Sequence, residues 1–178
     1  MIMKHFIDIS DFNSKQLNAI IKKAKHLKKN PNKVSNKCHH KTLGMIFQKE
    51  STRTRVSFNV GINKMGGNCI ELNANSIGFG KRESHEDVLR TLSQYIDILM
   101  IRNDDHNIIK NLSALKLIPI INGLSDYSHP CQILSDLLTI TEKLGDIKNQ
   151  NICWVGDYNN VLRSLIELQY IYNFKLNI

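Results

Sequence analysis

Ser51-Thr52-Arg53-Thr54-Arg55 brings three hydroxyls and two guanidiniums into five consecutive positions. Both group types donate hydrogen bonds, and the guanidiniums add fixed charge in a planar fork, so the run can receive a phosphate or a similar anion. It follows the apolar stretch Thr42 to Phe47 (TLGMIF) through Gln48, Lys49 and Glu50, and opens a helical pattern from about Thr52 to Met65. That position matters, because first-turn backbone N–H groups lack partners and the positive end of the helix dipole lies there. On spacing alone a plainer reading stands beside it, with Ser51 or Thr52 as an N-cap and Arg53 and Arg55 as surface charges.

Further polar groups follow apolar runs in the same way. Arg102 ends the stretch DILMI, and the loop NGLSDYS leads from LIPII into His129-Pro130-Cys131-Gln132 at another helix start. Alone, His129 reads equally as a structural histidine and Gln132 as a capping partner. Taken together, hydroxyls, arginines, a histidine and a carboxamide at successive strand ends suit a small ligand that carries a phosphate, a carbonyl and an amide. Ligands of open parallel sheets bind at that edge.

The elements that must position these groups alternate. Helical patterns are expected at 13–29 (capped by Ser10 or Asn13), at 52–65 ending at Gly66-Gly67, at 84–95 opened by Ser84 with Asp87 three residues on, near 106–114, and at 130–144. Strands are expected at Thr42–Phe47, Cys69–Leu72, Ile96–Ile101 and Leu117–Ile121, with a Gly-containing loop after the second. The predicted fold class is α/β, a parallel sheet flanked by helices. GDIKNQ (145–150) reads as a polar linker. After it come one more buried strand, Asn151–Gly156, a helix from Asn159 to about Tyr172, and FKLNI as the beginning of another strand. The expected division is a first domain over 1–145 and, over 151–178, the first strand and helix of a second α/β domain. One strand and one helix cannot enclose a core, so either they pack on the first domain or most of a second is absent.

Composition limits the function classes. The chain has 178 residues, 42% hydrophobic and 22% charged, close to globular averages, which excludes wholesale disorder. No window approaches a membrane span and the start MIMKHFIDISDF has no signal-peptide pattern, so an intracellular, cytoplasmic protein with no membrane partner is expected. A net charge of +8 and a pI near 9.4 permit a nucleic-acid partner. Much of the excess, however, sits in Lys15, Lys22, Lys23, Lys25, Lys28, Lys29, Lys33 and Lys37, on or just beyond an amphipathic helix, so a solvated face is the better reading and no nucleic acid is expected. The four cysteines, Cys38, Cys69, Cys131 and Cys153, lack the close spacing of a zinc or redox pair. Cys38-His39-His40 cannot easily converge on one ion, and Lys33, Lys37 and Lys41 around it oppose a cation, so no metal site is expected.

STRTR entering a helix and continuing as SFNVGINKMGG, Arg102 after an apolar strand, and His129-Pro130-x-Gln132 together resemble the aspartate/ornithine carbamoyltransferase family. The resemblance covers essentially the whole chain in order. INGLSD before HPCQ, and Gly156-Asp157-x-Asn159-Asn160, are similar to the ornithine branch more than the aspartate branch, and Asn103-Asp104 follows Arg102 where the aspartate branch would have His-Pro. It implies that Ser51, Thr52, Arg53 and Thr54 hold the phosphate of carbamoyl phosphate, with Arg55 helping to neutralise it. It also implies that Arg102 bridges phosphate and carbonyl oxygen, that His129 donates to that oxygen, and that Gln132 accepts from the carbamoyl NH2. Arg102 and His129 are thus the implied catalytic residues. Asn160 is implied to contact the amino-acid end of ornithine. The loop around Asn75 to Lys81 is similar to the segment that family members lend to a neighbouring subunit, with Asn75 where a glutamine is usual.

The activity so implied is transfer of the carbamoyl group to the side-chain amine of L-ornithine, giving L-citrulline and phosphate in arginine biosynthesis. No metal or organic cofactor is implied, and a homotrimer or a multiple of trimers is implied at full length. The family's Asp-x-x-x-Ser-Met and His-Cys-Leu-Pro segments and its late arginine are missing from the 178 residues. A truncated or split parent, weakly active or inactive alone, is therefore expected. Two alternatives stay open at this stage: another acceptor amine, such as putrescine or an acylated ornithine, and a non-catalytic carbamoyl-phosphate-binding module.

Overall fold

The computed structural model describes residues 4–30 and 36–178; Lys33, counted above among the helix-surface charges, lies outside them. The elements in order are α1 (Ser14–Lys29), β1 (Thr42–Phe47), α2 (Thr52–Lys64), β2 (Asn68–Asn73), α3 (His85–Leu92), β3 (Ile98–Arg102), α4 (His106–Ala114), β4 (Ile120–Leu124), α5 (Pro130–Lys143), β5 (Asn151–Cys153), α6 (Asn160–Tyr172) and β6 (Lys175–Asn177). Of the two expected caps for α1, Asn13 does the work. Its side chain accepts from the Gln16 N–H while Gln16 Oε1 accepts from the Asn13 N–H, each at 3.0 Å. Ser10 lies instead in a short 3-10 turn at Ile9–Asp11.

β1 to β4 form one parallel sheet in the order β2-β1-β3-β4, flanked by helices, as predicted for an α/β chain. The crossover runs outward from β1 to β2 and then back past β1 to β3. The order in which strands are added therefore reverses between β1 and β3, and a crevice opens beyond their carboxyl ends. Phe47, the last residue of β1, pairs with Arg102, the last of β3. One face of the sheet packs Ile46, Leu99, Ile101 and Ile120 against Val88 and Leu89 of α3 and Ile109 and Leu112 of α4. The other face packs Leu43, Met45, Phe47 and Met100 under Ile62 of α2. Alternate residues of each strand serve alternate faces, which is why these strands read as continuous apolar runs.

A third cluster joins α1, α5 and α6 through Leu17, Ile21, Ile133, Leu137, Leu162, Leu165 and Leu168. The strand and helix after residue 150 therefore do not stand alone, because α6 packs on α5 and α1. The segment expected to be a polar linker carries part of this cluster. A 3-10 turn at Ile147–Asn149 seats Ile147 there at 1% exposure.

Four expected elements differ, β3 by the least: it runs over Ile98–Arg102, not Ile96–Ile101, and takes in Arg102 as its last residue. β4 lies three residues beyond the expected Leu117–Ile121, because two residues that look like loop formers, Asn122 and Gly123, are buried strand residues. Asn122 Nδ2 donates to the Ile7 carbonyl at 3.0 Å, and the Phe6 backbone pairs with Ile120 and Asn122 along the strand's open edge. The helix expected to reach Tyr95 ends at Leu92, with the rest a turn. The buried strand expected over Asn151–Gly156 is only Asn151–Cys153; it pairs with β6 alone, Asn151 and Cys153 are exposed, and Val155 stands in solvent. An apolar run is buried on both faces only when helices cover both, and here they do not.

Candidate active site

α2 begins where β1 has delivered the chain to the carboxyl edge of the sheet. Ser51 is its N-cap, in extended conformation, and Ser51 Oγ accepts from the Thr54 N–H at 3.4 Å. The cap reading thus holds, and it leaves the first turn open to an anion. A long cap bond leaves the hydroxyl close to the exposed first turn, and Thr52 and Arg53 are solvent-exposed there. Gln48, between strand and helix, ties the two central strand ends together. Its N–H donates to the Arg102 carbonyl at 3.0 Å, and its Oε1 accepts from the Asp104 N–H at 2.8 Å.

A cavity of about 780 Å3 lies at this edge. The first turn of α2 supplies Ser51, Thr52, Arg53 and Thr54 to its wall, β3 supplies Arg102, the end of β4 supplies Gly123 and Leu124, and the start of α5 supplies His129 and Gln132. Seven expected site residues, from three elements, thus face one space. Glu50, Ser57, Cys131 and Ser135 complete the wall and were not expected from the sequence. Ser57 follows from Thr54 at helical spacing and Ser135 from Cys131, so their side was readable, whereas their height above the crevice was not.

The electrostatics of the wall are specific. The ladder pairing shifts between Ile101 and Arg102, where Arg102 comes to lie opposite Leu124, and Arg102 Nε is buried without a hydrogen-bond partner. His129 Nδ1 is likewise buried without one. Burial of the ring, and then the Arg102 charge beside it, lower the His129 pKa to about 4. The imidazole is consequently neutral near pH 7 and can give one N–H to an acceptor without bringing a second full charge into the cavity. Gln132 Nε2 donates to Asp136 Oδ1 at 2.9 Å, which turns Gln132 Oε1 into the end of the amide available to a ligand N–H. Burial raises the Asp136 pKa, with the Gln132 hydrogen bond opposing it. Cys131 also touches the cavity, but its thiol is held at 3.4 Å from the Asn122 carbonyl and burial pushes its pKa up to about 12, so it is no nucleophile.

The remaining expected residues lie elsewhere. Arg55 turns away from the cavity, over the Phe47 ring and into ion pairs with Glu50 and Glu71 (2.9 Å to the latter). Asn75 is exposed in the loop after β2, where its Oδ1 accepts from Lys81 Nζ at 3.1 Å. Asn160 opens α6 and donates from Nδ2 to the Ser125 carbonyl at 2.6 Å, beside the loop that carries His129. None of these three lines the cavity.

No helix among the described residues is long and apolar enough to cross a membrane. Over its full length the chain is 43% identical to ornithine carbamoyltransferase of Acinetobacter baumannii, spanning 59% of that relative. It is 42% identical to that of Ruthia magnifica over 99% of the chain and 60% of the relative. Among solved structures, ornithine carbamoyltransferase from Burkholderia thailandensis superposes with a TM-score of 0.93 at 35% identity, over 98% of this chain and 61% of that one. The Pyrococcus furiosus enzyme gives 0.89 at 40% identity, over 94% and 55%. The chain thus spans about three-fifths of the length of the relatives it matches. A sequence profile for the carbamoyl-P binding domain of aspartate/ornithine carbamoyltransferase matches residues 4–142, which takes in the sheet and every wall of the cavity, and the chain belongs to that family.

Proposed function

We propose that the cavity binds carbamoyl phosphate and serves an ornithine carbamoyltransferase reaction, with Arg102 and His129 as its catalytic residues. One observation carries this: the first turn of α2, Arg102, His129 and Gln132 converge on one cavity. A ligand with phosphate at one end and a carbamoyl group at the other is matched group by group. Ser51, Thr52, Arg53 and Thr54 take the phosphate with the N–H groups of the α2 terminus. The guanidinium of Arg102 spans phosphate and carbonyl oxygen, a neutral His129 donates to that oxygen, and Gln132 Oε1 accepts from the NH2.

The reaction follows from these placements. The neutral side-chain amine of ornithine attacks the carbamoyl carbon, and negative charge grows on the oxygen that Arg102 and His129 hold. The carbon–oxygen bond to phosphate then breaks, and phosphate departs carrying the proton that the attacking nitrogen gives up, its remaining charge met by Arg53 and the helix terminus. Because the donors sit on strand ends and helix starts, the acceleration comes from positioning and electrostatics without a covalent intermediate. Arg55 would support the phosphate from behind, keeping Glu50 neutralised at the cavity rim. Residues 151–178 would begin the ornithine-binding unit, with Asn160 Oδ1 turned to the acceptor's amino group. Asn75, on its exposed loop, would serve the site of a neighbouring copy, in a homotrimer when the protein has the length of its relatives. The four unpaired cysteines fit a reducing, cytoplasmic setting.

The test is citrulline formation from carbamoyl phosphate and ornithine by a protein completed to the relatives' length. Citrulline is expected. Carbamoylation of putrescine without citrulline would overturn the acceptor, and no phosphate release with any amine would overturn the activity.

A further inference from the structure

The His129 backbone N–H donates to Ser164 Oγ at 2.9 Å, a contact that reaches from the start of α5 into α6. Ser164 is fully buried, as is Ser128, whose Oγ lies 3.1 Å away. Ser128 is fixed in turn, since its N–H donates to Ser125 Oγ at 3.0 Å and Ser125 Oγ meets His106 Nδ1 at 2.8 Å. His106 Nε2 faces Asp8 Oδ2 at 3.2 Å, with Lys110 Nζ 3.6 Å from the same oxygen. Because Ser164 Oγ already accepts from His129, its own proton is left for Ser128 Oγ. Burial alone would raise the Asp8 pKa, but hydrogen bonds from His106 and Ser128 and the charges of His106 and Lys110 hold it below the ordinary carboxylate value. Ser164, Ser128, Ser125, His106 and Asp8 are all buried, where a break in the network leaves a costly unpaired group.

His129 needs such support. As the N-cap of α5 it makes no side-chain cap bond, which leaves the imidazole free for the cavity but also leaves the helix start without its usual anchor. We infer that Ser164 is a positioning residue for His129, its hydroxyl fixing the backbone from which the imidazole is presented to the carbamoyl oxygen. α6 then takes part in the carbamoyl-phosphate site without touching the ligand. The inference rests on the function proposed above for His129.

The test is NMR on the 178-residue chain with labelled histidine, the His129 signals being assigned by their loss in His129→Gln. In Ser164→Ala the His129 imidazole is expected to titrate about one pH unit or more closer to an ordinary histidine, and the His129 amide to lose at least ten-fold of its exchange protection. Ser164→Cys fills nearly the same volume and accepts poorly, so the same two changes are expected in a variant whose packing is kept. Unchanged titration and unchanged amide exchange in both variants, whatever their melting temperatures, would make Ser164 a packing residue and overturn the inference. Both readouts are taken without ligand, so failure of the parent chain to bind carbamoyl phosphate would count against the proposed function and not against this linkage.

Discussion

Arg53 and His129 have opposite relations to solvent, and that decides how each can be tested. Arg53 is an exposed cation beside a helix terminus, so its removal should leave the fold intact and cost the ligand a charge-assisted donor, about 2–4 kcal/mol. Calorimetry with carbamoyl phosphate on Arg53→Ala should show that loss; unchanged affinity would return the run to a helix cap with surface charges. His129 carries a different signature, because its pKa falls from 6.5 to about 4 on folding. The unfolded chain therefore binds the proton first, so this stabilising contribution is complete above pH 6.5 and is lost as pH falls towards 4. Discounted for a ring that is only partly shielded, the loss is about 1–3 kcal/mol. Denaturant unfolding at stepped pH should show it in the parent and not in His129→Gln.

Residue types told much of this in advance. Hydroxyls and guanidiniums at a helix start, an arginine after an apolar strand and His-Pro-x-Gln are legible because their places at strand ends and helix starts bring them to one cavity. Arg55 shows the limit, since its type suits phosphate as well as Arg53 does, yet Glu50 and Glu71 turn it aside. Ser125, Ser128 and Ser164 show the other limit: serine is common in loops and helices, and only the packing of α6 on α5 reveals that these form one network.

At the scale of elements, β1, α2 and α5 match their expected bounds nearly residue for residue, because apolar periodicity, a hydroxyl cap and a first-turn proline agree with one another. β4 and β5 were misread where burial depended on neighbours that a local pattern does not contain. The turn from α2 into β2 is a place where local chemistry dictates the element junction. A Cβ on Gly67 would stand 2.9 Å from the carbonyl oxygens of Cys38 and Lys41 and from Ile62 Cγ1. Two of those atoms are backbone and cannot swing aside, so Gly67→Ala should destabilise by about 1–3 kcal/mol. Thermal melting checks it; a melting temperature within error of the parent would mean the junction is looser than its geometry.

At the scale of the molecule, one sheet with two covered faces and a separate α1–α5–α6 cluster divide the packing. Ile147 tests whether the second cluster belongs to the same cooperative unit. It is 1% exposed in a segment that composition marks as a connection. Ile147→Ala should cost about 2–5 kcal/mol, and it should lower one shared unfolding transition. A separate early transition for α6, with the sheet unmoved, would show two independent units instead.

The contact from His129 to Ser164 spans 35 residues of sequence, and this gives the site a timetable. A chain made at about 5–20 residues per second exposes His129 roughly 2–7 seconds before Ser164 exists to hold it. Through that interval the sheet, the anion-binding turn and Arg102 can already be in place while the histidine is not. On the proposed function, the newborn domain would grip phosphate before it can act on the carbamoyl group, and its histidine would set only when α6 docks.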